Sequence, residues 1–521
     1  MPASILSGAA YLMVLAFAGN TLSAANDQPI DLGSRRELFI DHYLIDKLDG
    51  VELELQEPRS GGVAIRYDGM ADSNASFWTT VLKDGPVYRM YYRGHRPNRV
   101  PPSESRRYTS LTCYAESPDG IHWTKPVLNL VEVNGSKMNN VILPFSGAFV
   151  PFIDTRPGVP GSERYKANME AGAEHVVLDP ETSELVLKTD DEEARGLMGF
   201  VSADGIRWRP ISDKPIAYKD PDLYNHYDST NVMFWSEAEQ QYLCFQRHAV
   251  GGELRDNGIR ATARSTSTDF LHWGKPVPMS YSDTGTERPS QHLYVANTQP
   301  YFRAPHIYIA LQGRLQQGRK GLTEAQAATV SPDPAGGGTN NISDGVLLTA
   351  RPGSTRFDFT FRESFVRPGI GYNNWVSRTN YPAIGIVPAG ENEMSFYVQR
   401  NYAQKSAYLE RMVLRLDGFA SASAPYDGGE LLTKPFTFTG KALEINFATS
   451  AAGGIKVEIQ DAAGKPVIGF FLDDCPEIIG DEISRIVSWD KGADLSALIG
   501  KPVRLRFWMH DADLFSFRFL P

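Results

Sequence analysis

Four acidic residues stand beside strongly β-forming runs at similar spacing. Asp72 lies in Met70-Ala71-Asp72-Ser73-Asn74, shortly before Trp78, and Asp154 follows Val150-Pro151-Phe152-Ile153, ahead of the run at Arg164-Tyr165-Lys166. Asp228, in Tyr227-Asp228-Ser229-Thr230-Asn231, directly precedes Val232–Trp235, and Glu287 comes with His292 before Leu293-Tyr294. Carboxyl groups mounted on separate rigid strands keep a fixed separation. Such a pair can divide proton donation from nucleophilic or base work, which is what scission of a glycosidic bond needs. An acid beside Ser, Asn or Thr also caps local turns, so each of the four has an architectural use as well.

Cationic and aromatic side chains accompany these acids. Arg303 and His306 lie in Tyr301-Phe302-Arg303-Ala304-Pro305-His306 ahead of an apolar run that reaches Arg314, and Trp375 and Arg378 lie in Asn374-Trp375-Val376-Ser377-Arg378. Arg93 and its tyrosines, in Tyr91-Tyr92-Arg93, close another β-forming run. A guanidinium can fork onto a carboxylate or sulfate, and a histidine can assist proton transfer or bond a hydroxyl. The competing use of Arg303 and Arg378 is to pair with the chain's own acids.

The elements that would position these residues show as an internal repeat. Ser117-Pro118-Asp119-Gly120-Ile121-His122-Trp123 returns as Ser202–Trp208 and Ser267–Trp273, with weaker echoes at Ala350-Arg351-Pro352-Gly353 and Leu416-Asp417-Gly418-Phe419. The period is roughly 75 residues, the scale of one four-stranded unit. Within units, aromatic and β-branched runs alternate with short polar turns, as in Trp78–Leu82 and Tyr88–Tyr92 about Lys83-Asp84-Gly85-Pro86. This pattern predicts antiparallel hairpins and, from five units, an all-β, five-bladed β-propeller. The Asp and Gly of the repeated element should turn the chain between the outer two strands while its Trp fills the space between blades. The segment Glu37–Asp41 is expected to supply the strand that closes the ring. From Gly428 the repeat stops and strict alternation begins, as in Ile455–Ile459 and Val503–Phe507, which predicts a C-terminal β-sandwich.

Composition narrows the function. The 521 residues carry 52 Lys+Arg against 62 Asp+Glu, a formal charge of −10, which disfavours a nucleic-acid partner. The apolar, small-residue stretch Ile5–Leu22, ending at Ser23-Ala24-Ala25, reads as a signal peptide over residues 1–25 and implies a secreted or periplasmic protein. The expected domains are then a propeller over 26–427 and a sandwich over 428–521. No later run is long enough to span a membrane. Three scattered cysteines outline neither a disulfide framework nor a metal site, and no nucleotide or EF-hand signature appears, so neither cofactor nor metal is expected.

The Ser267–Trp273 element within a five-unit propeller followed by a sandwich resembles glycoside hydrolase family 32 and its five-bladed relatives, families 43, 68, 117 and 130. The W-M-N-D-P-N, R-D-P and E-C segments of family 32 are absent, which separates the chain from fructan chemistry. The resemblance implies a sugar bound on the axis where the innermost strands begin, with carboxylates from different blades. On that basis Asp72 would be base or nucleophile, Asp154 would stabilise the oxocarbenium-like state, and Asp228 or Glu287 would be the general acid. Arg93, His292, Arg303, His306, Arg314, Trp375 and Arg378 would bind a carbohydrate substrate that they permit to be anionic. A sialidase-like enzyme, a phosphorylase and a non-catalytic carbohydrate-binding propeller are the alternatives; oligomeric state is left open.

Overall fold

A computed structural model describes residues 28–521 except 96–109, 146, 172–173, 179–184, 190–195, 221–222, 224–226, 253, 255–256 and 331–337. The signal-peptide expectation therefore lies outside the described residues.

Five sheets form the propeller, each ordered from an inner to an outer strand. Blade one runs Phe77–Asp84, Val87–His95, Ser110–Ser117, Val141–Leu143. Blade two runs Val150–Ile153, Tyr165–Ala171, Gly196–Ser202, Arg209–Pro210, and blade three Val232–Ser236, Gln241–Val250, Ile259–Ser267, Val277–Pro278. In blade four the inner edge is shared by His292–Leu293 and Thr298–Tyr301, both on Ala304–Gln316, with Ile342–Ala350 outside. Blade five runs Val387–Pro388, Glu393–Arg400, Tyr408–Arg415, and its outermost strand is Arg59–Arg66 from near the start of the chain. That strand closes the ring. The expected closing segment, Glu37–Asp41, does not: Glu37–Leu38 pairs instead with the last long strand, Val503–Leu520.

The repeated element does its expected work. Ser117 Oγ accepts from the Gly120 amide at 2.9 Å, and Asp119 Oδ1 accepts from the Ile121 and His122 amides at 2.8 Å each. Gly120 and Gly205 sit at φ +74°, where a Cβ is unwelcome, while the third copy places Phe270 there at φ +72°. Trp123 meets Tyr397 of blade five edge-on at 5.7 Å, and Trp208 meets Tyr91 of blade one at 6.2 Å.

A second set of contacts joins neighbouring blades where the innermost strands finish. At three of these ends an acid accepts from a tyrosine on the second strand of the next blade. Tyr165 bonds Asp84, Tyr242 bonds Asp154 at 2.6 Å, and Tyr308 bonds Glu239 at 2.9 Å. Each acid also has a cation: Arg89 and Arg164 for Asp84, Lys166 for Asp154, Arg264 for Glu239.

After blade five the chain enters a ten-stranded sheet built on the bulged strands Ala442–Asp461 and Val503–Leu520. Leu443, Ile445, Phe447, Leu505, Phe507, Phe517 and Phe519 are buried in its core. Ile30–Gly33, Glu37–Leu38, Ile45–Asp49 and Glu52–Leu55 belong to this sheet too, so the expected division at 427/428 gives way to one in which both ends of the chain build the second unit. Buried ion pairs fasten it to the propeller: His306 to Glu37 at 2.7 Å, Arg351 to Glu37 at 2.8 Å and to Asp41 at 2.9 Å, and Arg303 to Asp417 at 3.0 Å. Among the described residues no helix is long and apolar enough to cross a membrane.

Candidate functional site: the propeller mouth

The innermost strands begin at one end of the axis, and second strands of the blades finish there. Blade one enters with a bulge, since Phe77 pairs with Arg93 and the next regular pair is Thr80 with Tyr91. The bulge forces Trp78 to φ +55°. Arg378, Asn380, Asn401 and Ala403, from the two loops of blade five at this end, also sit at positive φ. Such conformations cost roughly 1–3 kcal/mol each and persist where the surroundings fix them, often at binding sites. Trp78 and Arg378 among them reach towards the Tyr294 ring of blade four.

Those side chains make an aromatic floor carrying cations. Phe77 and Trp78 lie 4.3 Å apart, Tyr294 and Tyr381 5.2 Å, and Tyr294 stacks towards Trp78 at 6.5 Å and 21°. Arg247 and Arg260, from adjacent strands of blade three, lie 4.5 and 4.9 Å from the Tyr294 ring centre. Arg378 lies 5.9 Å from both Tyr294 and Tyr402, and Arg93 5.8 Å from Trp78. Arg247 donates through Nη1 to Asp228 and through Nη2 to the Tyr294 carbonyl at 3.0 Å. The Nε atoms of Arg93, Arg247 and Arg260 and the hydroxyl of Tyr381 are buried without a hydrogen-bond partner.

The crowding shows in the acid–base properties. Burial alone would raise the phenol of Tyr294, yet Arg247, Arg378 and Arg260 outweigh it and bring it below its ordinary value. Burial, then Arg260 and Arg288, lower His292 to about 4, so it is neutral at pH 7. Its Nδ1 accepts from the Arg260 amide at 3.2 Å, which leaves Nε2 to carry the proton.

Of the residues expected from sequence, the fold brings Asp228, Arg93, His292 and Arg378 together here. Asp72 is buried within blade one, accepting from Tyr92 at 2.9 Å and from the Gly69 amide at 2.8 Å, and ion-paired with Lys125. Asp154 ends the innermost strand of blade two rather than preceding it, because Val150–Ile153 and not Arg164–Lys166 is that strand. It therefore lies at the opposite end of the axis, 2.8 Å from Lys166. Arg303 and His306 serve the junction with the second unit, and Arg314 clasps Asp344, with Nε 2.8 Å from Oδ1. Trp375 is half-buried against Gly321 and donates to the Gly369 carbonyl at 3.2 Å. Glu287 is exposed in the connection between blades three and four.

Sequence reasoning passed over Arg247, Arg260 and Glu170. A signal exists for two of them. Tyr88, Tyr165 and Tyr242 each bond the end of the preceding blade's innermost strand, at Pro388, Asp84 and Asp154 respectively. The fifth residue after each is Arg93, Glu170 and Arg247, so these three occupy equivalent sites near the mouth. Glu170 is buried, with 8 % of its surface exposed. At the other end of the axis the channel widens into an apolar cavity of about 430 Å³, lined by residues such as Val81, Phe152, Val232, Phe234 and Ile384.

No protein-family model matches the chain, and neither does any curated protein. Solved structures resemble it in strand arrangement. A glycoside hydrolase aligns at 10% identity over 69% of this chain and 92% of its own, with a TM-score of 0.43. A family 43 arabinoxylan arabinofuranohydrolase from Bacillus subtilis aligns at 11% identity over 88% and 99%, TM-score 0.38. An exo-inulinase from Aspergillus awamori aligns at 13% identity over 87% and 99%, TM-score 0.35.

Proposed function

We propose that the chain is a secreted, exo-acting glycosidase that takes a terminal sugar at the propeller mouth. The observation that carries the reading is the convergence, on one aromatic floor, of a carboxylate, a neutral histidine and the guanidinium groups of Arg93, Arg247 and Arg260, whose Nε atoms have no acceptor. Phe77, Trp78, Val295, Tyr381 and Tyr402 form one apolar cluster across the axis. A glycan chain end can enter above that plug, but a polymer cannot thread through it. Asp228, with 61 % of its side chain exposed and ion-paired with Arg247, attacks the anomeric carbon or activates water there. Glu170 supplies the proton to the leaving oxygen. The second unit we read as a β-sandwich that braces blades four and five.

The test is release of monosaccharide from neutral, uronic and sulfated oligosaccharides. Asp228→Asn and Glu170→Gln should each lower release by at least ~100-fold, the low end for loss of an acid or base, with folding unchanged. A binding-only propeller is the second reading. It is favoured by the commitment of Asp72 and Asp154 to ion pairs, and it predicts sugar binding without release from any glycan.

A further inference from the structure

Resting on that reading of the mouth, we propose that the guanidinium cluster around Tyr294 is an oxyanion site, and that the sugar it takes carries its own carboxylate or sulfate. Arg247 and Arg260 lie against the Tyr294 ring, with Arg378 at its margin and Arg93 over Trp78. A cation on a ring face gains from the π-system, but its N–H bonds lie in the guanidinium plane and are not used by that contact. Consistent with this, Nε of Arg247 has no acceptor although the side chain is only 2 % exposed, and Nε of Arg260 and of Arg93 have none either. The Tyr381 hydroxyl, equally buried, is a further donor without an acceptor.

Buried donors on charged groups are costly to leave unmade, and like charges packed together repel unless an anion sits between them. Asp228 engages Arg247 through Nη1, leaving its Nε unpartnered. A flat, two-oxygen acceptor matches the fork of a guanidinium, and the half-buried Tyr294 ring lies beside the cluster, where the sugar would rest. Depression of the Tyr294 phenol agrees with a positive field at this point.

Binding is measured by calorimetry at constant ionic strength with four probes: glucuronic acid, glucose 6-sulfate, glucose and inorganic phosphate. At least one of the two acidic sugars should bind tenfold or more tighter than glucose, and tighter than phosphate. Arg260→Gln should erase that margin, weakening the acidic sugar at least tenfold more than it weakens glucose. Arg378→Gln, on a half-exposed loop residue, should do the same and covers the case in which the Arg260 variant does not fold. Equal affinity for glucose and both acids, no effect of either variant, or tightest binding of phosphate overturns the inference. The outcomes separate it from the catalytic reading: acid-selective binding without glycoside release keeps the oxyanion site and removes the enzyme, while release from neutral glycans with no acid preference does the reverse.

Discussion

Replacing Asp154 tests whether that carboxylate is a latch or a catalyst. Its side chain is fully buried, 2.8 Å from Lys166 Nζ, whose side chain is 2 % exposed, and it accepts from Tyr242 at 2.6 Å. Asp154→Ala therefore leaves a buried ammonium with only the more distant Glu163 carboxylate, at 3.6 Å, as counter-charge, and a phenol without its Asp154 acceptor. Removing one partner of a buried ion pair costs about 3–5 kcal/mol, whereas replacing both by apolar groups of similar size is often neutral. Asp154→Leu combined with Lys166→Met should thus recover most of what Asp154→Ala loses. Chemical unfolding of the wild type, Asp154→Leu, Lys166→Met and the variant carrying both gives the coupling, expected above ~2 kcal/mol. At temperatures where each variant is folded, affinity for the sugar ligand should match wild type, because the pair sits at the far end of the axis from the mouth. A stable Asp154→Ala protein that has lost only its activity would refute the reasoning and restore a catalytic Asp154.

Other perturbations have equally definite outcomes. Burial pushes the Glu37 carboxyl up, but Arg351 and His306 overcome it and bring it to about 2; this contribution is complete above the ordinary carboxyl value and fades as pH falls towards 2. It amounts to roughly 3 kcal/mol at most, so acid titration followed by tryptophan fluorescence should show the loss and Glu37→Gln should flatten it. Phe270→Gly removes a positive φ worth about 1–2 kcal/mol of strain but also a fully buried ring packed on Phe152, Tyr242 and Trp273. The ring's loss, about 3–5 kcal/mol, dominates, and the melting temperature should fall. Deleting the chain beyond Gly428 strips the partners from Glu37–Leu38 and Ile45–Asp49, so the product should be insoluble rather than merely weaker in sugar binding.

How much of this was legible from sequence depends on the range of the signal. The Ser117, Ser202 and Ser267 elements are local hydrogen-bonded turns, so their types and spacing carry the blade count and the placement of Trp123 and Trp208. The closing strand is a pairing of Arg59 with Val413, distant along the chain and recorded in no local pattern. Asp154 misled because an acid on either flank of a short apolar strand looks alike, and choosing the innermost strand decides which end of the axis it faces. Arg247 was hidden inside a run that otherwise reads as core; a charge within such a strand is the cue, and its five-residue spacing from Tyr242, matched by Arg93 after Tyr88, supports it, whereas Arg260, at the start of its strand, has no such cue.

The late partner of Arg59–Arg66 also bears on biosynthesis. At about 5–20 residues per second, this strand waits roughly 20–70 s on the ribosome before Tyr408–Arg415 exists to receive it. Its sequence, Arg-Ser-Gly-Gly-Val-Ala-Ile-Arg, suits the wait: charges at both ends and paired glycines make it a poor template for stray strands. Replacing Gly61 and Gly62 with β-branched residues would make the nascent chain stickier without firming the finished ring, since a Cβ at Gly61 would lie 2.6 Å from Arg411 and Gly62 sits at φ +85°.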